Sequence, residues 1–343
     1  MEGNRENKNV IIGWGLAGAV LSWQLYFENR TFSVFDSLSN HTTRVAAGMV
    51  NPIVFKRLTK SWNADLLLPA AQKFYTRIEQ ELSVKLISHK SIYRVFASIE
   101  EENNWNSKEG DDRFSAYLTT PNKEELPDEK FVNYPFGIGK VNTFGNLDTN
   151  KFLDASKAFF LEKGLEFYDE VFDYNTINDS ARFFFCEGMG VKQNPLFSDL
   201  PFKPTHGETL MIETSDLKFL HTLNRNMFLT HVEGNKYNVG ATYNWELDKP
   251  ITTEEGKQNL VERLAAFTNF DYKIVAHLAG IRPNVKDRRP LLGIHSTQKN
   301  AIVFNGLGAK GVMIAPYYAN QLLNHVFNDD ALDPEVNIER FHN

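Results

Sequence analysis

Val10-Ile11-Ile12-Gly13-Trp14-Gly15-Leu16-Ala17-Gly18 decides the fold class. An apolar strand runs into three glycines, and an apolar stretch of helical length carries the chain to a second strand, Phe32-Ser33-Val34-Phe35, which ends in Asp36. Each glycine has its own task. Gly13 allows the tight turn, Gly15 lets backbone approach a pyrophosphate, and Gly18 lets helix and strand pack closely. Leu16 and Ala17 open the helix, whose unpaired N–H groups and partial positive charge suit phosphate. Asp36 falls near the ~20-residue offset at which an acid accepts hydrogen bonds from ribose hydroxyls. Three glycines alone also fit a ligand-free turn, but strand, glycines, helix and acid coincide here and point to a dinucleotide site.

Length and composition set the limits around that unit. A chain of 343 residues exceeds what one core spans, so two domains are expected. With 42% hydrophobic and 13% aromatic residues it can fill both. A net charge of −6 gives no general attraction to nucleic acid. The polar N-terminal stretch has no signal-type apolar run, and no segment approaches the ~20 apolar residues of a membrane span. A soluble, cytoplasmic protein without a membrane partner is the expectation. Cys186, the one cysteine, allows no internal disulfide and suggests no metal site, so no metal is expected; its apolar strand marks it as a core residue.

The character of the chain then changes several times. Ser61 to Leu82 reads as a helix and Ser91 to Phe96 as a half-buried strand. The acidic run Glu100 to Asn104 reads as a solvated helix face, and Pro121 to Pro127 as a loop. Leu147 to Lys163 reads as a helix stopped by Gly164. Leu165 to Tyr168 and Arg182 to Cys186 read as a return to the first sheet. Thr209 to Glu213, Met227 to Val232 and Tyr237 to Ala241 suit an antiparallel sheet in a second domain, followed by a helix near Thr253 to Phe267. The expected architecture is α/β: a Rossmann-like, discontinuous dinucleotide-binding domain over 1–85, 141–205 and 270–343, and an α+β substrate domain over 86–140 and 206–269 built on the antiparallel sheet.

A second glycine cluster lies near the C-terminus. Ala301-Ile302-Val303-Phe304 is strand-like and enters Asn305-Gly306-Leu307-Gly308-Ala309-Lys310-Gly311, after which Val312 to Phe327 reads as a helix entered through Pro316. No second strand with a ribose acid follows, which argues against a second dinucleotide site. The loop reads instead as closing on the far end of the ligand held by Gly13 to Gly18; a plain turn with Lys310 solvated is the alternative.

Together with Ala46-Ala47-Gly48-Met49-Val50-Asn51-Pro52 and Gly280-Ile281-Arg282-Pro283 followed by Asp287 and Pro290, these clusters resemble, in order along nearly the whole chain, the D-amino-acid oxidase-like (DAO) superfamily of FAD-dependent oxidoreductases. Glycine oxidase, sarcosine oxidase and the flavin domain of the bacterial tRNA wobble-uridine modification enzyme belong to it. The resemblance implies that Gly13, Gly15, Gly18 and Asp36 hold the ADP half of FAD and that Ala47, Gly48 and Met49 run beside the isoalloxazine ring. It places Gly306, Gly308, Ala309, Lys310 and Gly311 near the flavin's pyrimidine end, and matches Arg282 to the arginine that grips a substrate carboxylate. Met313 stands where some members carry a second basic residue, and His206-Gly207-Glu208 stands where a Lys-Gly pair is usual. No cysteine near the C-terminus matches the one that tethers FAD in some members, so noncovalent FAD is implied.

The implied activity is oxidation of the C–N bond of a small amine or amino acid by hydride transfer to flavin, with no side-chain base assigned if the amine enters neutral. For Arg282 a structural salt bridge, to Asp287 for example, is the competing role. Tyr243, after a strand, reads as pocket lining or core. Arg288 and Arg289 read as structural or surface residues. Three alternatives stay open: oxidation of a carboxymethylaminomethyl group on tRNA wobble uridine, against which the acidic charge weighs; a non-catalytic flavin-binding protein; and an NAD(P)-linked dehydrogenase, against which the single complete βαβ fingerprint argues.

Overall fold

The computed structural model describes residues 8–38 and 42–341; Met1 to Asn7 of the polar N-terminus lie outside them. Seven α-helices appear among the described residues: α1 Leu16–Phe27, α2 Thr42–Val45, α3 Ala64–Leu82, α4 Ile99–Glu109, α5 Thr149–Glu162, α6 Glu254–Ala265 and α7 Gly311–Asn328. They accompany two large sheets.

The first sheet is built as the opening motif demands. Glu166–Tyr168, Phe32–Phe35, Lys8–Ile12, Ala181–Phe185 and Ala301–Asn305 lie side by side and parallel, and Leu291–Ile294 closes the edge antiparallel. Side chains of a strand alternate between faces. Ile11, Phe184 and Ile302 therefore enter the core shared with α1, α3, α5 and α7, where Trp23, Tyr75, Phe152, Phe160 and Tyr318 are fully buried. Val10, Ile12, Phe183 and Phe185 face the other way, onto Phe197 and Leu200. Cys186 is buried at the strand's end, and burial raises its thiol pKa well above the ordinary value.

Pro316 lies inside α7, not at its entry. A proline there removes the donor that would serve the carbonyl four residues back. The Tyr75 hydroxyl of α3 replaces it, donating to Val312 O at 3.1 Å. This one bond ties two helices that pack along each other.

The second sheet runs in the order Lys273–Arg282, Thr205–Glu213, Lys236–Gly240, Phe228–His231, Thr222–Asn224, Ile92–Val95, Ile138–Val141 and Leu118–Thr119. It is antiparallel except where Thr222–Asn224 meets Ile92–Val95. A return to the first domain was expected from residue 270; in the structure Lys273–Arg282 pairs along its length with Thr205–Glu213, and the chain rejoins the first sheet at Leu291. The two faces of this sheet differ. Leu210, Ile212, Leu223, Leu229, Tyr237 and Val239 pack with Leu260 and Leu264 of α6. Thr209, Thr222, Thr230 and Asn238 alternate with them on the other face, and all are buried.

Candidate functional site

The strand Lys8–Ile12 delivers Gly13 at φ +104°, in the region that only glycine enters freely. Its N–H donates to Phe35 O at 2.7 Å, and a Cβ there would reach the Cys186 carbonyl oxygen at 2.6 Å. A Cβ on Gly18 would overlap the carbonyl oxygen of Gly13, so the helix start lies flat on the turn. Gly15 caps α1 without a side-chain hydrogen bond, and the first turn of α1 has no acidic residue. The nearest atom to a Cβ on Gly15 is Thr43 Oγ1, at 3.4 Å. That hydroxyl accepts a hydrogen bond from Leu16 N–H at 3.0 Å, and Ala17 is buried behind it. The positive end of α1 is thus met by a neutral hydroxyl, with open approach at Gly15. Asp36 Oδ1 accepts from Trp14 N–H at 3.2 Å and holds its carboxylate beside the loop. An uncompensated helix N-terminus, a glycine cradle and an adjacent acid fit the diphosphate and ribose of a dinucleotide.

The other clusters converge on this loop. A Cβ on Gly311 would meet Leu16 Cδ2 at 2.8 Å, so the terminal glycine loop abuts the first one. Gly306 and Gly308 have positive φ, and their missing side chains leave room for Val285 and Asn284. Ala309 is exposed. Lys310 is not solvated: its ammonium donates to Asn51 O at 2.6 Å, to Ser61 Oγ, and at 3.4 Å to Ile53 O. Burial lowers its pKa to about 8. This joins the terminal loop to the segment that follows Ala47, Gly48 and Met49. Gly48, at φ +63°, accepts from Leu147 N–H at 2.9 Å, and Met49 bridges Asn146.

Thr42 closes the arrangement. Its hydroxyl donates to Ile281 O at 3.0 Å and accepts from Ile281 N–H at 3.2 Å, tying α2 to the strand that carries Arg282. Sequence reasoning passed over Thr42 and Thr43. The available signal was a pair of hydroxyls between Asp36 and Ala46.

Arg282 and Tyr243 are brought together. The guanidinium lies 4.3 Å from the centre of the Tyr243 ring, above Gly207, where any Cβ would overlap it. Its Nη1 donates to His206 O and Thr242 O, both at 3.4 Å, which is long for N–H···O. Burial lowers its pKa. Asp287 is not its partner; Arg340 Nε holds that carboxylate at 2.8 Å. Among the described residues no carboxylate forms an ion pair with Arg282. His206 is buried, with Nε2 2.7 Å from Ile251 O, and Glu208 accepts from Thr253 N–H at 2.8 Å. Tyr243 is 59% exposed and so is not a core residue. Arg289 stacks on Trp62 and pairs with Glu335, a structural role.

The polar face of the second sheet was also missed. Asn146 Nδ2 donates to Thr230 Oγ1 at 3.1 Å, and the hydroxyls of Thr230 and Thr222 share a hydrogen bond of 2.7 Å. Among the described residues the Oδ1 atoms of Asn146 and Asn238 have no hydrogen-bond partner. Because Asn146 bridges Met49, this face turns toward the segment of Ala47 to Met49. The alternation in Thr209-Leu210-Met211-Ile212 carried the signal. Two cavities, of about 290 and 190 Å³, share no residue with these clusters. No helix among the described residues is long and apolar enough to cross a membrane, and none of them form a His/Cys/Asp/Glu group able to hold a metal.

Residues 8–323 match the family model described as FAD dependent oxidoreductase, DAO. Glycine oxidase of Bacillus subtilis (strain 168) is 22% identical over 377 residues, covering 98% of this chain and 96% of that protein. Among solved structures, glycine oxidase from Geobacillus kaustophilus superposes with a TM-score of 0.79 at 18% identity, covering 96% of each chain. L-proline dehydrogenase from P. horikoshii superposes with a TM-score of 0.80 at 12% identity, covering 98% of each.

Proposed function

This chain belongs to the DAO family of FAD-dependent oxidoreductases, and from that premise we propose that it oxidises the C–N bond of a small amine that carries a carboxylate, with FAD held noncovalently and Arg282 as the carboxylate anchor. One observation carries the reading: a half-buried guanidinium with two long bonds to carbonyls and, among the described residues, no acidic partner. An isolated buried cation is costly, and a ligand carboxylate would relieve it. Two of the similar proteins, glycine oxidase and L-proline dehydrogenase, each carry an amino acid in their names.

When bound, FAD supplies the acceptor for two electrons and a hydrogen from the carbon beside the amine. Gly13 to Gly18 with Asp36 and Thr43 would hold its ADP half, and Ala47 to Met49 with Gly306 to Gly311 the ring end. Arg282, planar and flanked by Tyr243, takes both carboxylate oxygens and so fixes the direction of the adjacent C–H. No side-chain base is assigned, because an amine entering neutral needs no proton removed before it gives up hydride; the iminium product is then hydrolysed by water to the carbonyl product and the released amine.

Arg282→Met tests the anchor. Flavin content should stay near normal, while anaerobic flavin reduction by a carboxylate-bearing amine should lose about 2–5 kcal/mol of transition-state stabilisation, the usual cost of removing one side of a desolvated charge pair. A matched amine without the carboxylate should lose far less. Equal losses on both would rule out the anchor.

A further inference from the structure

Lys310 stands at the N-cap of α7, where the helix dipole is already positive, and no acidic residue lies in that helix's first turn. Its ammonium is enclosed by three neutral oxygens, of Asn51, Ile53 and Ser61. Among the described residues none forms an ion pair with it, although thirteen such pairs occur elsewhere, from Arg30–Glu28 to Arg340–Asp287. Burial alone lowers its pKa to about 8, and no neighbouring charge restores it.

A desolvated cation on a positive helix end, with nothing negative beside it, costs free energy in the empty protein. The same charges favour any group that becomes negative next to them. Accepting a hydride adds one negative charge to a neutral flavin ring. The terminal glycine loop is the element assigned above to the ring end of FAD, and Gly311 reaches Leu16 at the start of α1. The segment gripped by the ammonium is continuous with Ala47 to Met49.

We propose that Lys310 sets the redox poise of the bound cofactor: pinned by Asn51, Ile53 and Ser61, its ammonium is a positioning residue's charge that favours the reduced over the oxidised ring. The inference rests on the placement of FAD proposed above but not on the identity of the amine or on Arg282, since the poise is measured without substrate.

The test is the ratio of reduced to oxidised flavin in the purified holoprotein, equilibrated anaerobically with a reference dye at fixed pH. Lys310→Gln keeps a hydrogen-bonding side chain and removes the charge. Its ratio should fall about tenfold, equivalent to about 30 mV for a two-electron couple. Lys310→Arg should stay within about threefold of wild type, and Ser61→Ala, which keeps the ammonium, likewise. If Gln costs the protein its FAD, Lys310→Met or Lys310→Ala takes its place. Should no neutral variant hold FAD, the Arg variant decides, and a tenfold fall there would overturn the proposal because charge is kept. A neutral variant with full FAD and an unchanged ratio would overturn it as well, leaving Lys310 a structural tie.

Discussion

Two glycine loops with one spelling, Gly13-Trp14-Gly15-Leu16-Ala17-Gly18 and Gly306-Leu307-Gly308-Ala309-Lys310-Gly311, follow strands of the same parallel sheet and lead into helices that pack on each other. They use their glycines against different neighbours. In the first, Gly13 and Gly18 leave space for backbone carbonyls, of Cys186 and of Gly13 itself. In the second, Gly306, Gly308 and Gly311 leave space for side chains, of Val285, Asn284 and Leu16. The first is followed by a strand whose end leads into Asp36; the second holds a half-buried cation, Lys310, and no strand follows α7 among the described residues. A glycine pattern therefore specifies a close approach, while the partner in that approach decides whether the loop packs on backbone or on side chains.

The largest effect should separate the loops directly. Gly18→Ala places a methyl against a carbonyl that cannot move without opening the turn, so chemical denaturation should show a loss of about 3 kcal/mol or more, the upper end for overpacking. Gly311→Ala meets side chains alone, the flexible end of Leu16 at 2.8 Å and Leu307 Cβ at 3.2 Å, and should cost about 1 kcal/mol. Comparable losses would break the comparison.

Gly15→Val sharpens it from the cofactor side. Gly15 is extended, and a Cβ meets little there, so stability without FAD should stay within about 1 kcal/mol of wild type. The branched side chain would nonetheless fill the diphosphate position, and the purified variant should carry less than about a tenth of the wild-type flavin. Full flavin occupancy would remove Gly13 to Gly18 from the cofactor site.

The smallest effect concerns Lys310 and pH. Its folded pKa, about 8, lies below the ordinary lysine value of about 10.4. Between the two the unfolded chain binds more protons, so the stability of the flavin-free protein rises with pH across that window. Groups shared by both proteins cancel in the difference between wild type and Lys310→Met. That difference in melting temperature should shift in favour of wild type from pH 8 to pH 10 and be constant below pH 8. A constant difference throughout would mean the ammonium is not desolvated.

The first loop, its helix and Asp36 were legible because strand, turn and helix lie within one short stretch, and each glycine's role follows from local backbone geometry. The terminal loop was legible as a glycine loop, but not the fate of Lys310, whose acceptors lie about 250 residues away. The strand Lys273–Arg282 was not legible, because its first half is largely exposed and its alternation is faint; pairing with Thr205–Glu213 assigns it to the second sheet. Pro316 reads as a helix entry by itself, since no local rule foresees a hydroxyl from Tyr75, 237 positions away, at Val312 O.

What the sequence by itself determined is thus the chemistry of contiguous segments: the cradle for a dinucleotide, the alternating strands, and the candidate pair Arg282 and Tyr243. Tertiary structure alone decided their company. It stacked Arg282 on Tyr243 while giving Asp287 to Arg340, put Thr43 at the start of α1, and closed Lys310 onto Asn51 and Ser61. The reason is physical: local backbone preferences act over a few residues, whereas burial and charge pairing depend on which distant groups the folded chain brings within a few ångströms.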